Sequence, residues 1–268
     1  MMARIALVVL AVTAFAILAA GRADAAPLGF AVRCDFDKVG KIDPIVSPGA
    51  TSAHEHTFFG GRVYPRTTRT SLLHSGTTCQ AKGDHSGYWA PTVIGKDGKR
   101  ILPAESIAYW RPANVLDPAN ATQPTPKGLE IVTEHGAEYS WACVNGGGDG
   151  GTPYPYPRTC GDGARARLLV RFPDCANAAT SPDHMSHMAY ANGRTCPAGM
   201  HPVLGLKMVV RFHPGAKMSG AQLSSGRPNT VHADFMEAFR RGSLNNTMQK
   251  CVRDGSGCNV AQTTKALG

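Results

Sequence analysis

The chain has 268 residues, a formal charge of +9, 30 glycines and 19 prolines. That length suffices for one large domain or two small ones, and no linker-like run of Ser, Gly or Pro divides it. Beyond the N-terminal segment no apolar run is long enough to span a bilayer, and no nucleic-acid motif accompanies the positive charge.

In chain order, Arg4 precedes an apolar run from Ile5 to Ala20 and then Gly21-Arg22-Ala23-Asp24-Ala25, whose Ala-x-Ala ending fits a secretory cleavage site. The run is short of the ~20 residues a membrane span needs. The expectation is a signal peptide over residues 1–25 and a single secreted, disulfide-stapled domain over 26–268. Cleavage leaves 26 basic and 18 acidic residues, so the mature chain stays basic at +8. In an exported protein this balance suits an anionic polymer or envelope, and equally a merely soluble surface. All eight cysteines lie in the mature part, which predicts four disulfides. Eight cysteines allow about 105 pairings; the sequence neighbours Cys143 with Cys160 and Cys251 with Cys258 are the pairs to expect. No C-x-x-C occurs, which disfavours metal held by thiolates.

Gly29 to Phe36 alternates like a strand, and Ser47-Pro48-Gly49 turns the chain into Ser52-Ala53-His54-Glu55-His56. Tyr88 to Ile94 reads as a strand, with Asp97-Gly98 as a hairpin turn and Lys99 to Leu102 returning beside it. Ile107–Arg111, Leu129–Thr133, Tyr139–Val144, Ala166–Phe172 and Leu204–Phe212 read as further strands. The stretches Asn145–Gly151 and Pro153–Pro157 are too rich in Gly and Pro for regular structure. His232 to Phe239 reads as the one convincing helix, with Phe235, Met236 and Phe239 on one face. Many short strands and little helix predict a mostly β, sandwich- or jelly-roll-like domain with long loops, the alternative being compact α+β.

The candidate chemistry starts at His54 and His56. Two residues apart on an extended segment, they share one face while Glu55 turns to the other. An H-x-H pair is how cupin-type barrels offer two imidazoles to a metal, although the carboxylate expected after it is missing. The cofactor is not fixed by the sequence; a divalent transition metal on His54 and His56 is what imidazole with carboxylate would hold. A second cluster, Asp183-His184-Met185-Ser186-His187, could place a carboxylate against a histidine base, or could be a turn with Asp183 as its cap. The third, His232 with Asp234, offers an acid or base, or a helix cap. Asp43, Asp183 and Asp234 are the carboxylates that can be assigned to this cluster. Tyr88, Trp89, Tyr109 and Trp110 could stack on sugar rings, though aromatics on strands are more often core; Tyr88, Trp89 and His184 are the candidates for substrate contact.

At these elements the sequence resembles a secreted family of uncharacterised domains, a domain of unknown function found mainly in fungal and actinobacterial extracellular proteins. The resemblance is carried by Asp43-Pro44-Ile45-Val46-x-Pro48-Gly49, Ser52-x-His54-x-His56-x-Phe58-x-Gly60, Thr77-Thr78-Cys79, Tyr88-Trp89-x-Pro91, Phe172-Pro173-Asp174-Cys175, Ser181-Pro182-Asp183-His184-x-Ser186-His187-Met188-Ala189-Tyr190 and His232-x-Asp234-Phe235. It implies no established activity; carbohydrate-binding modules beside some fungal members point towards polysaccharide. The family usually follows His-x-Asp-Phe with Asn and then Gly-Trp, where this chain has Met236-Glu237-Ala238-Phe239, so Phe239 is the residue that would serve in place of that tryptophan. The reading that results is an extracellular protein whose His54, His56, Asp183, His187, His232 and Asp234 form a cleft acting on polysaccharide or cell-wall material as a hydrolase or lyase. The alternative is a non-catalytic carbohydrate- or wall-binding protein with a structural metal.

Overall fold

The computed structural model describes residues 28–136, 138–146, 148–161, 163–177 and 186–268. The expected signal peptide, and Asp183 and His184 of the second cluster, lie outside the described residues.

In chain order the first strands are β1 (Phe30–Gly40), β2 (His56–Gly60), β3 (Gly87–Pro91), β4 (Val93–Ile94), β5 (Arg100–Ile101), β6 (Pro103–Arg111), β7 (Glu130–Val132) and β8 (Tyr139–Val144). They are followed by β9 (Arg165–Arg171), β10 (Cys175–Ala176), β11 (Met188–Ala189), β12 (His201–Pro202), β13 (Gly205–Phe212), β14 (Gln222–Leu223) and β15 (Asp234–Met236). Nine of them make one antiparallel sheet in the order β7-β15-β3-β2-β1-β6-β13-β9-β8, flanked by the small sheets β11-β10-β12 and β14-β4-β5. The expected hairpin at Asp97-Gly98 is present, with Val93 opposite Ile101 and Ile94 opposite Arg100. The mostly β expectation therefore holds.

The long strand β1 sets the shape. From Phe30 to Asp35 it pairs with β6, and from Phe36 to Gly40 with β2, the register breaking between Phe36 and Lys38. A break of this kind sharpens the local bend, and the sheet curls until its two halves face each other. Trp110 of β6 meets Phe235 of β15 edge-to-face at 5.2 Å and Phe239 at 5.4 Å. This is the principal core. A smaller apolar cluster, made by Ile45, Phe58, Val63, Leu72, Trp89, Met236 and Ala238, covers the opposite face of the β2-β3-β15 half.

One expectation is overturned. Residues 234–236 are a strand, flanked on both sides by β3 and β7, and the chain on either side of them is not helical. Every residue from Val231 to Phe239 is buried, so the apolar spacing cannot distinguish a helix from a strand enclosed on two faces. Adjacent Phe235 and Met236 enter the large and the small cluster respectively, as the alternation of a strand requires. The longest α-helices fall later, at α3 (Arg241–Met248) and α4 (Val260–Leu267), after two short ones at α1 (Arg69–Leu73) and α2 (Pro118–Ala121). Asn259 caps α4 in a reciprocal capping box with Gln262.

Four disulfides tie Cys34 to Cys79, Cys143 to Cys160, Cys175 to Cys196 and Cys251 to Cys258, and both sequence-neighbour pairs are among them. The first staples β1 beside its register break. The second closes the Gly- and Pro-rich loop, from which Asp149 accepts hydrogen bonds from Tyr109 and Arg211.

Candidate metal centre

His56 opens β2, its ring on the same face as Phe58 at the rim of the small apolar cluster. Its Nδ1 donates to the carbonyl of Ile42 at 2.9 Å. That carbonyl is held by a local turn, in which Asp43 Oδ1 accepts from the backbone N–H groups of Ile45 and Val46, both at 3.0 Å. His232 lies just before β15, and its Nδ1 donates to the carbonyl of Thr230 at 3.0 Å. His54 completes the group from the bend before β2, its Nε2 standing 3.1 Å from Nε2 of His232. One ring nitrogen from each of His54, His56 and His232 lies within 4.8 Å of the other two.

A carbonyl oxygen only accepts, so the two backbone contacts place the ring hydrogens of neutral His56 and His232 on Nδ1 and leave lone pairs on Nε2. Burial, with His54 and His232 nearby, pushes the His56 imidazole down to about 3, and burial pushes His232 down to about 4. Burial and the neighbouring His135 lower His54 as well. All three are therefore neutral at neutral pH, the state in which imidazole binds metal. Asp234 joins them from β15, with Oδ2 3.9 Å from His56 Nε2. Its carboxyl is raised well above the usual range by burial and then by Asp43.

The donor set fits a transition-metal ion. With bonds of about 2.0–2.1 Å, ligand nitrogens of a tetrahedral site stand about 3.3 Å apart, close to the 3.1 Å between His54 and His232. His56 Nε2 and both Asp234 oxygens are buried without a hydrogen-bond partner among the described residues. Buried polar atoms are nearly always satisfied, and an ion on His56 Nε2 would satisfy that nitrogen and leave the Asp234 carboxyl beside it. The two backbone carbonyls are the outer-shell acceptors that ligating histidines normally have.

The structure thus brings together His54, His56, His232 and Asp234. It also adds a residue the sequence did not single out: His135, from the turn after β7, stacks on His232 with ring centroids 4.4 Å apart. Only the pairing of β7 with β15 puts the two in register, and no local motif marks His135.

Other candidates go elsewhere. His187 Nε2 donates to the carbonyl of Glu130 at 2.7 Å, and His187 is not in the three-histidine group. Tyr88 and Trp89 are corrected from sugar platforms to core: they are 1% and 0% exposed, so neither ring offers a face to a ligand. Tyr88 instead donates to Asp84 at 2.7 Å. Phe239 is likewise buried against Trp110. Glu237, before it, accepts from Arg69, from the backbone of Gly128 and from the backbone of Phe239. Glu55 turns away from the histidines, as its odd position demands, into a two-point ion pair with Arg100 at 2.8 and 2.7 Å.

His54, half-buried, forms part of the wall of an open cleft of about 710 Å³ with Lys41, Glu55, Lys99, Arg100 and Ser224. Among the described residues no helix is long and apolar enough to cross a membrane. The fold and the site together define a disulfide-stapled protein built on a curled antiparallel sheet, with three imidazoles gathered at one end of it. The chain belongs to the family described as Domain of unknown function (DUF1996), which matches residues 43–239 and so spans all these histidines and Asp234. No curated protein and no solved structure matches the chain.

Proposed function

We propose that this chain is an exported metalloprotein in which His54, His56 and His232 hold one divalent transition-metal ion, and that it acts on an extracellular polysaccharide or wall polymer as a hydrolase or lyase. The observation that carries the reading is the convergence of three imidazole nitrogens within 4.8 Å, two of the rings fixed by backbone carbonyls with their lone pairs free. Three neutral ligands leave the ion its full positive charge, which suits polarising a substrate oxygen or activating a water. Structural sites tend to be closed by four protein ligands, whereas catalytic ones keep a position open. Here His54 borders an open cleft, and Asp234 stands beside the group as a carboxyl able to exchange a proton.

Elemental mass spectrometry on the folded, oxidised protein, prepared without a histidine tag, tests the centre. About one ion per chain is expected, and its loss in His54→Ala/His56→Ala. A well-folded wild type that takes up no zinc, copper, nickel or iron overturns it. Assay of the loaded protein on a polysaccharide panel for reducing ends or unsaturated products then tests the enzymatic part. The burial of His56 and His232, 0% and 2% exposed, favours a second reading, a binding protein with a structural ion; polymer binding without any product identifies it.

A further inference from the structure

The cleft at His54 does not end there. A second open cleft, of about 530 Å³, is lined by Lys96, Asp97, Lys99, Arg100, Leu102 and Lys217, and shares Lys99, Arg100 and Leu102 with the first. The two clefts adjoin along Lys99, Arg100 and Leu102 at the β4–β5 hairpin, the first with His54 in its wall. The far wall of the second is the loop at 217–220, where the side chain of Lys96 lies across Gly220, within 3.5 Å of where a Cβ would stand.

Lys41, Lys96, Lys99 and Lys217 are all exposed, and none has an ion-pair partner among the described residues. The acids lining the two clefts are Glu55, ion-paired with Arg100 at 2.7 Å, and Asp97, which accepts from the backbone of Lys99 at 3.1 Å and keeps its charge. The lysines outnumber them, and the net positive potential raises the local concentration of anions. The apolar contact the clefts offer is aliphatic: Leu102 is 41% exposed, and no Phe, Tyr or Trp ring lines either cleft. Single-stranded nucleic acid relies on stacking aromatics for binding. A saccharide chain needs only a face to lie against and cations for its charges.

We infer that these adjoining clefts form a groove that binds an acidic polysaccharide, a chain carrying carboxylates at sugar-ring spacing, and delivers it to the histidine centre. The inference rests on the polysaccharide reading above and adds the charge class and the residues that select it. The lysines act as point charges on the carboxylates, Leu102 packs on a ring face, and Arg100 keeps Glu55 from repelling the chain.

The test is calorimetric titration of the metal-loaded protein with long oligogalacturonate and with its methyl-esterified form, which has the same backbone without the charge. The acid form is expected to bind, more weakly as salt is added, and the ester at least about tenfold more weakly. Lys99→Glu/Lys217→Glu is expected to lower affinity for the acid form by at least about tenfold. Lys99→Ala/Lys217→Ala should move it in the same direction by less. These side chains are exposed, and melting curves verify the fold of each variant. Equal binding of ester and acid, or no effect of the lysine variants, overturns the inference. Inorganic polyphosphate binding as tightly as oligogalacturonate also overturns it, in favour of a general polyanion surface. Metal uptake by the wild type separates the two proposals. Lysine-dependent binding by a well-folded wild type that takes up no metal refutes the metal centre and leaves the groove, while metal uptake without oligogalacturonate binding refutes the groove alone.

Discussion

The carbonyl oxygen of Ile42 accepts the Nδ1 hydrogen of His56 at 2.9 Å, and this bond decides what His56 can do. It turns the ring so that Nε2 faces His54, His232 and Asp234. It also spends the ring's one hydrogen on the backbone. The Asp43-Pro44-Ile45-Val46 stretch, which contains no histidine, is thus part of the site through its turn geometry.

Single substitutions at the three histidines should separate ligands from neighbours. His56→Ala and His232→Ala should each lower zinc affinity by at least about a hundredfold, measured by chelator competition. His135→Ala, which removes only the ring stacked on His232, should cost within the range of about 10–100-fold typical of outer-shell groups. An equal loss at all three positions would make His135 a ligand.

Asp84 gives a pH prediction away from the site. Burial, opposed by its hydrogen bonds to Tyr88 and Ser86, raises its carboxyl to about 7. The folded state therefore binds more protons than the unfolded one between pH ~4 and ~7, so this group's contribution is fully present below ~4 and is lost as pH rises through ~7. Asp84→Asn cannot ionise and should gain relative to wild type over that window, by up to about 4 kcal/mol, in denaturant unfolding at pH 4 and pH 7.5. A pH-independent difference between the two proteins refutes the assignment.

Trp89→Ala should cost about 3–5 kcal/mol of stability, as emptying a core aromatic site does. Tyr88→Phe should cost about 1–3 kcal/mol by leaving Asp84 without its hydroxyl donor. Neither should change polysaccharide affinity in the folded fraction. A selective loss of binding by Tyr88→Phe at unchanged stability would return that ring to the ligand site.

The disulfides should differ in value. Cys34 and Cys79 are 45 residues apart and Cys251 and Cys258 are 7 apart, for which loop-closure entropy gives about 4 and about 2 kcal/mol. Replacing each pair by serine and measuring unfolding in denaturant should reproduce this order.

The sequence by itself determined the strands and the cysteine logic, because both are local or countable. Tyr139–Val144 was legible to the residue, since alternation and turn residues act over a few positions, and eight cysteines without a C-x-x-C left disulfides as their use. It also determined that His54 and His56 share a face, which follows from the two-residue period of extended chain. Tertiary structure alone decided that Asp234 sits on a strand, because a segment buried on every side carries no periodic signal. It decided that Tyr88 and Trp89 are core, since the curl of the sheet at β1 fixes which face is covered. The third imidazole came from 178 residues away, His232 against His54, and with it the pairing across β7 that brings up His135. No local spacing encodes such contacts: they depend on the order of strands in the sheet, which only the packing of Trp110 against Phe235 and Phe239 closes.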